Sequence, residues 1–335
     1  MNLPVISVLM PVYNCSQYIC EAIDSILNQT FADFEFLIID DASTDDTILK
    51  IKSYDDRRIQ LIEKPENTGY TNSLNYGLSI AKGKYIARMD GDDVSLPERF
   101  EKQYRFLEED NDVVLCGTNF QIIDTDRIIF LPETHEQIKI GLLNGNKIAH
   151  PSVMMRSDFL RANSLKYDVT KEPAEDYDMW VRILKFGKVH NLQEVYLHYR
   201  VHKKQVSSLR KKMQAQSALD TRVKLFTYVD NNFDESDTKL LKIFLSPESY
   251  KTIEGLKKIM DLQIQMVRKN EFFEKNEFSL YIENLRVEIL NTYFLKRKSF
   301  FPALITQYFY FKNKFDFKIV NQYRFIAKSL LYYSK

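Results

Sequence analysis

The sequence predicts an α/β chain: a mostly parallel sheet sandwiched by helices, with an α-helical C-terminal region. Three observations predict it. The continuous apolar, β-branched run VISVLM (Val5–Met10) suits a strand buried on both faces, and FEFLIID (Phe34–Asp40) reads as a second strand. Segments of helical period separate these runs at regular spacing, the pattern of right-handed crossovers in a parallel sheet. From about residue 206 to the end the pattern is helical throughout.

Each element follows in order. The first strand is Val5–Met10, with Pro11 expected to end it. A helix is expected from Ser16, which can cap it, with Ile19, Ala22, Ile23, Ile26 and Leu27 on one face. Phe34–Asp40 is the second strand, and STDDTILKIKSY (Ser43–Tyr54) an N-capped helix with acids in its first turn. A third strand (Arg58–Glu63), a third helix (Thr71–Lys82) and a fourth strand (Lys84–Met89) complete the alternation. Residues 112–200 are mixed, with short strands in DVVLCG, SVMMR and EVYLHYR and a helix in EDYDMWVRILKFG. There is no repeat and no low-complexity linker; the division is expected near 205, with residues 1–205 the α/β part and 206–335 a helical extension.

Composition is that of an ordinary soluble chain, 44% hydrophobic and 28% charged. The net charge of +1 conceals an asymmetry: residues 1–220 carry −6 and residues 221–335 carry +7. That asymmetry suggests a change of role near residue 210–220. Cys15, Cys20 and Cys116 have neither metal-ligand spacing nor a paired framework, which points to a reduced, cytoplasmic chain. The N-terminus lacks the charged and apolar regions of a signal peptide, and no uninterrupted apolar run reaches the roughly 18 residues a spanning helix needs.

In open α/β sheets ligands bind beyond the carboxyl ends of the strands. Here the first strand ends at PVYN, the second at DDAS and the fourth at DGDD, so three polar loops should meet at one edge. Asp90-Gly91-Asp92-Asp93 has three readings. It can be a solvated turn. An EF-hand loop fails, because Val94 takes the fifth position and Ser95 the place of the required glycine. The third reading is a divalent cation, Mn²⁺ or Mg²⁺, shared between carboxylates and the oxygens of a diphosphate. PVYN lacks the glycine-rich turns that cradle phosphates at a helix N-terminus, so a metal would have to neutralise them. Asp40-Asp41 either caps the next helix or accepts hydrogen bonds from a base or ribose. Glu175 and Asp176 open a helix, where carboxylates are favoured on electrostatic grounds alone.

The ordered set SVLMPVYN, SILNQTF.DFEFLIIDDASTDDT, NTGYTNSLNYGLSIAKGKYIARMDGDD, HPSVMMR and EDYDMWVR resembles the family 2 glycosyltransferases over roughly residues 4–205. The resemblance implies a glycosyltransferase A-type, Rossmann-like fold, a nucleotide-sugar donor, a divalent metal and inversion at the anomeric carbon. By position, Pro11, Tyr13 and Asp41 look like nucleotide-binding residues. Asp90 and Asp92 look like the outer members of the Asp-x-Asp motif, Asp90 toward the ribose or donor sugar and Asp92 on the metal, with Asp93 completing the longer form. Asn67, Gly69 and Asn72 fall in the segment between nucleotide and donor sugar, although a capped turn would also explain them. Asp176 resembles the family's general base, and a histidine in the place of His202 often approaches the metal or diphosphate. His150 is left between acceptor contact and backbone support, and Trp180 reads as core.

Residues 296–335 hold nine basic residues and one acid, with Phe and Tyr interleaved. Nucleic acid is disfavoured, since the front half is acidic and carries no such module. A basic amphipathic surface on an anionic leaflet fits better, with ordinary core helices as the alternative. The sequence therefore points to an inverting glycosyltransferase. It would move a hexose or N-acetylhexosamine from a nucleotide sugar, a uridine diphosphate sugar first, to a saccharide or lipid-linked saccharide acceptor in cell-surface polysaccharide biosynthesis. The expected location is cytoplasmic, peripheral on the inner membrane. A sugar nucleotidyltransferase would want a glycine-rich basic signature after the first strand. A non-catalytic nucleotide-sugar-binding protein would have no need of Asp176.

Overall fold

The computed structural model describes residues 3–202, 205, 210–230, 232–245, 253–296 and 308–312. The chain divides into two compact units, Met1–Arg222 and Val223–Lys335.

The first unit is built on a nine-stranded mixed sheet. Its parallel half consists of β1 (Ile6–Val12), β2 (Phe34–Asp40), β3 (Ile59–Glu63) and β4 (Tyr85–Arg88) in the order β3-β2-β1-β4. Beyond β4 the sheet continues through β8 (Met154–Arg156), β6 (Val113–Ile122), β9 (Lys188–Tyr199) and β5 (Val94–Ser95), with β7 (Ile128–Ile129) paired to β6. β8 runs antiparallel to both β4 and β6, whereas β6 and β9 are parallel. Every residue of β1 and β2 is buried, as continuous apolar runs covered on both faces should be. Helices α1 (Ile19–Leu27), α2 (Thr47–Lys52), α3 (Tyr70–Ile80) and α4 (Arg99–Glu109) supply the cover. Helices α5 (His135–Leu142), α6 (Ser157–Ala162) and α7 (Glu175–Ile183) follow, and α8 (Lys211–Thr227) spans the division between the units.

Three local expectations are corrected. β1 does not stop at Pro11 but runs on to Val12. Leu9 faces β4, since its carbonyl accepts from Met89, so Pro11 faces the same way. Pairing with β4 has already ended at Leu9, and the missing N–H of Pro11 therefore deprives no neighbour. Ser16 does not cap α1, which starts at Ile19 without a side-chain cap; the Ser16 N–H instead donates to Asp45. α2 is correspondingly shorter than expected, because Thr47 and the Asp45 carboxylate close a turn ahead of it.

The second unit is helical: α9 (Glu235–Leu245), α10 (Ile253–Lys269) and α11 (Lys275–Lys296) enclose Phe226, Phe244, Ile259, Met260, Phe278 and Ile282. The Lys269 ammonium pairs with Asp230 at 2.6 Å, and buried Gln263 accepts from Arg286 at 3.1 Å. Of the basic segment 296–335, only the end of α11 at Lys296 and a helical stretch at 308–312 fall within the described residues. Among the described residues no helix is long and apolar enough to cross a membrane.

Candidate active site

The carboxyl ends of β1, β2 and β4 lie side by side, with Val12 opposite Asp40 and Leu9 opposite Arg88. The loops that follow are tied together. The Asp41 N–H donates to the Val12 carbonyl, Asn14 N–H to Ser43 Oγ, and Cys15 N–H to Thr47 Oγ1. Gly91 lies against Val12 and Cys15, where a Cβ would stand 2.9 Å from Val12 Cγ1. Tyr13 is 46% exposed at this edge, and Pro11 is buried in β1 beneath it.

Ligand oxygens of Asp90, Asp92 and Asp93 come within 4.8 Å of one another. Asp93 is 1% exposed; its Oδ1 accepts from the Arg200 N–H, while Oδ2 has no hydrogen-bond partner among the described residues. Burial, and then the neighbouring carboxylate of Asp90, push the Asp92 and Asp93 carboxyls up. A buried, orphaned oxygen in a set of crowded carboxylates fits a hard divalent cation such as Mn²⁺ or Mg²⁺. The end of β9 closes the cluster: Arg200 Nε donates to the Asp92 carbonyl, and His202 Nε2 lies 2.8 Å from Asp92 Oδ2.

Beneath the cluster is a residue the sequence reading passed over. Arg88 is 4% exposed and pairs with Asp90. Burial opposes its charge, but Asp90 outweighs that and holds the guanidinium protonated. Its positive charge also acts on Asp92, Asp93, Glu175 and Asp176. One buried cation thus serves two separate carboxylate groups. A cationic residue at the end of a buried strand, two positions before an acidic loop, was the available signal.

The start of α3 links the other loops. Asp41 is 2% exposed: its Oδ2 accepts from the Gly69 N–H at 2.8 Å, and its Oδ1 from Lys64 Nζ at 2.5 Å, Thr68 N–H at 3.1 Å and Ser73 Oγ at 3.2 Å. Burial opposes the charge of Asp41, yet Lys64 and these donors hold the carboxyl below its usual range. Asp41 therefore organises the 64–73 segment. Asn67 Oδ1 accepts from the Gly69 N–H at 3.2 Å and Asn72 Nδ2 donates to the Thr68 carbonyl at 2.6 Å; both side chains are exposed. One residue on, Tyr70 Oη donates to Glu175 Oε2 at 2.7 Å, and Thr71 Oγ1 donates to Glu172 Oε2 at 2.7 Å. The helix that Asp41 positions therefore reaches α7 directly.

Glu175 and Asp176 open α7. Glu175 is 3% exposed, and burial followed by the charge of Asp176 raises its carboxyl to about 8. Asp176 is only partly buried; burial raises it to about 6, against the Tyr177 N–H, Arg88 and the Asn146 amide. A carboxyl near neutrality that still reaches solvent suits a general base. His150 is buried, 2.9 Å from Tyr167 Oη and edge-on to Trp180; burial, and then Arg88, hold it well below its ordinary value.

Comparison with known proteins places this geometry. Residues 7–169 match the family described as Glycosyl transferase family 2. An uncharacterized glycosyltransferase of Haemophilus influenzae is 32% identical, spanning 76% of this chain and 85% of that protein. The O-antigen biosynthesis glycosyltransferase WbnJ of Escherichia coli is 37% identical over 60% of this chain and 82% of its own. Among solved structures, S. aureus TarS 1-349 in complex with UDP-GlcNAc matches with a TM-score of 0.59 at 16% identity, covering 98% of this chain and 89% of that one. The mannosyltransferase PcManGT of Pyrobaculum calidifontis, in complex with GDP-Man and Mn2+, matches at 0.53, over 98% and 87%. At such identities the likeness shows the fold, which is the glycosyltransferase A type. The chain belongs to glycosyl transferase family 2 and is a glycosyltransferase.

Proposed function

We propose that this chain is an inverting, metal-dependent transferase that moves a hexosyl or N-acetylhexosaminyl group from a uridine diphosphate sugar to a saccharide or lipid-linked saccharide acceptor. The observation that carries the reading is Arg88: this buried guanidinium pairs with Asp90, and its charge also lowers the carboxyls of Glu175 and Asp176, which supports reading the two carboxylate groups as parts of one site. UDP is favoured by the TarS complexes with UDP and UDP-GlcNAc; the GDP-Man complex of PcManGT makes the guanosine nucleotide the alternative to exclude. The O-antigen role in the name of WbnJ supports a cell-surface polysaccharide.

In this reading Pro11 and Tyr13 form the nucleotide wall, and Asp41, through Lys64 and the N-terminus of α3, shapes the 64–73 segment that carries Asn67 and Asn72 toward the donor. Asp90, held by Arg88, faces the ribose or donor sugar. Asp92 with Asp93, and His202 beside them, would hold the divalent ion, which when bound supplies a Lewis acid against the charge of the leaving diphosphate. Asp176 accepts the proton of the acceptor hydroxyl as its oxygen bonds to the anomeric carbon from the face opposite the diphosphate. As that bond forms, the bond from the anomeric carbon to the diphosphate oxygen breaks, the diphosphate leaves with the electron pair, and the configuration inverts. Such a base contributes typically about 10²–10⁴ in rate.

Residues 1–205 would be the catalytic part, and the basic 296–335 segment would rest the chain on the cytoplasmic face of a membrane. Nucleotide sugars screened with and without Mn²⁺ for thermal stabilisation and for release of nucleoside diphosphate test the assignment. Metal-dependent stabilisation by a UDP sugar supports it. Equal response without metal, or nucleotide transfer onto a sugar phosphate, overturns it.

A further inference from the structure

The segment between α5 and the turn at His150–Ser152 sends one side chain to Asp176. Asn146 Nδ2 donates to Asp176 Oδ2 at 2.7 Å, while the Tyr177 N–H donates to Oδ1 at 2.6 Å. The orientation of the amide is fixed from elsewhere: the Ile148 N–H donates to Asn146 Oδ1 at 3.1 Å, which leaves the NH₂ group for the carboxylate.

This segment is held at several points. Arg222 Nε donates to the Leu143 carbonyl at 2.8 Å, and Asn191 Nδ2 to the Lys147 carbonyl at 3.0 Å. Gly145 has φ +139, which L side chains rarely adopt, yet a Cβ there would meet nothing within 4 Å. Glycine is thus required by the backbone bend that delivers Asn146 and not by lack of room. The other groups facing Asp176 are otherwise engaged. Tyr70, from α3, donates to Glu175; Tyr167, ahead of α7, meets His150; Arg88, from β4, pairs with Asp90; and Glu175, on α7 itself, raised to about 8 and so protonated at neutral pH, meets Tyr70.

We propose that Asn146 is a positioning residue for the reaction: its amide clamps one oxygen of Asp176 so that the remaining lone pairs face the acceptor hydroxyl. A carboxylate offers about four acceptor positions, and two are spent on fixed N–H donors. The proposal rests on the reading of Asp176 as the base. Donation to the ionised form also favours that form, so the amide should keep Asp176 ionised to lower pH than it would be alone.

The test uses the full chain labelled with ¹³Cγ-aspartate, the Asp176 resonance being assigned by its loss in Asp176→Asn. In the parent the resonance should titrate near about 6. In Asn146→Ala the midpoint should rise, and in Gly145→Ala, which misdirects the same side chain, it should rise in the same direction. In parallel, UDP-GlcNAc hydrolysis with Mn²⁺ should lose about 10- to 100-fold in kcat in Asn146→Ala with KM unchanged, as expected for a lost hydrogen bond to a charged group. The acid limb of the pH profile should move up with the midpoint. A midpoint that does not move in the folded variant overturns the proposal, as does an unaltered kcat where Asp176→Asn abolishes turnover. Full turnover in Asp176→Asn would instead remove the base reading, while the midpoint still judges the clamp.

Discussion

Replacing Glu175 by Gln should stabilise the protein at neutral and alkaline pH. Glu175 is 3% exposed, and burial followed by the charge of Asp176 raises its carboxyl from an ordinary 4.5 to about 8. A carboxyl so raised binds its proton more tightly in the folded chain than in the unfolded one. Its contribution to stability is therefore fully present below about pH 4.5 and is lost as the pH rises through about 8. At about 1.4 kcal/mol for each pH unit between the two values, the loss amounts to about 3 kcal/mol at pH 7 and about 5 kcal/mol above pH 8. Gln does not ionise, and its amide oxygen can still accept from Tyr70 Oη, which now donates to Glu175 at 2.7 Å. Water admitted to the site returns part of the difference, so the expected net gain is about 1–3 kcal/mol at about pH 8, shrinking to within about 1 kcal/mol near pH 5. Urea denaturation of parent and variant at the two pH values measures it. The reasoning is refuted if the variant gains nothing on going from pH 5 to pH 8, or is less stable than the parent at both.

Three further outcomes are expected. Asp92→Ala should abolish the Mn²⁺-dependent rise in melting temperature produced by UDP, a rise worth about 2.7 kcal/mol in the parent at ligand a hundredfold above Kd; a preserved rise would place the metal elsewhere. Lys64→Met removes the 2.5 Å partner of Asp41 and should cost about 1–3 kcal/mol in urea denaturation at neutral pH. Because Asp41 is held below its usual range, that stability is present above about pH 4 and lost as the pH falls, so the two proteins should converge in acid. The chain truncated after residue 295 should pellet less with anionic vesicles than the full chain does, and equal pelleting would end the membrane reading of the basic segment.

Much of the fold was legible because buried parallel strands leave an unmistakable signature. Val5–Met10 and Phe34–Asp40 are mostly apolar on both faces, and the structure buries β1 and β2 completely, with Glu35 accepting from Ser7 and Gln60. Local capping was less legible. Ser16 and Ser43 look like helix caps, but the Ser16 N–H goes to Asp45 and Ser43 Oγ accepts from Asn14, contacts between loops about 30 residues apart that no local pattern reveals. The short strands β5 and β7 are two residues each and lie below what periodicity can detect. In the candidate site, the acidic loops were visible as motifs, whereas the groups that hold them were not. Arg88 reads as one more charge at a strand end until its burial is known, and Asn146 as one more loop asparagine until Ile148 fixes its amide. Asp41 drew attention as a ligand for the nucleotide, yet four protein donors already surround it, a fact set by the path of the 64–73 segment.

The measurement closest to the heart of the account is a pair of numbers for Asp176→Asn: turnover of a donor sugar, and affinity for UDP with Mn²⁺ by calorimetry. We predict turnover lower by about 10²–10⁴ with the affinity unchanged, since in the proposed mechanism the base and the nucleotide-binding residues are separate groups. Turnover that survives, or nucleotide affinity that falls as far as turnover does, would contradict it.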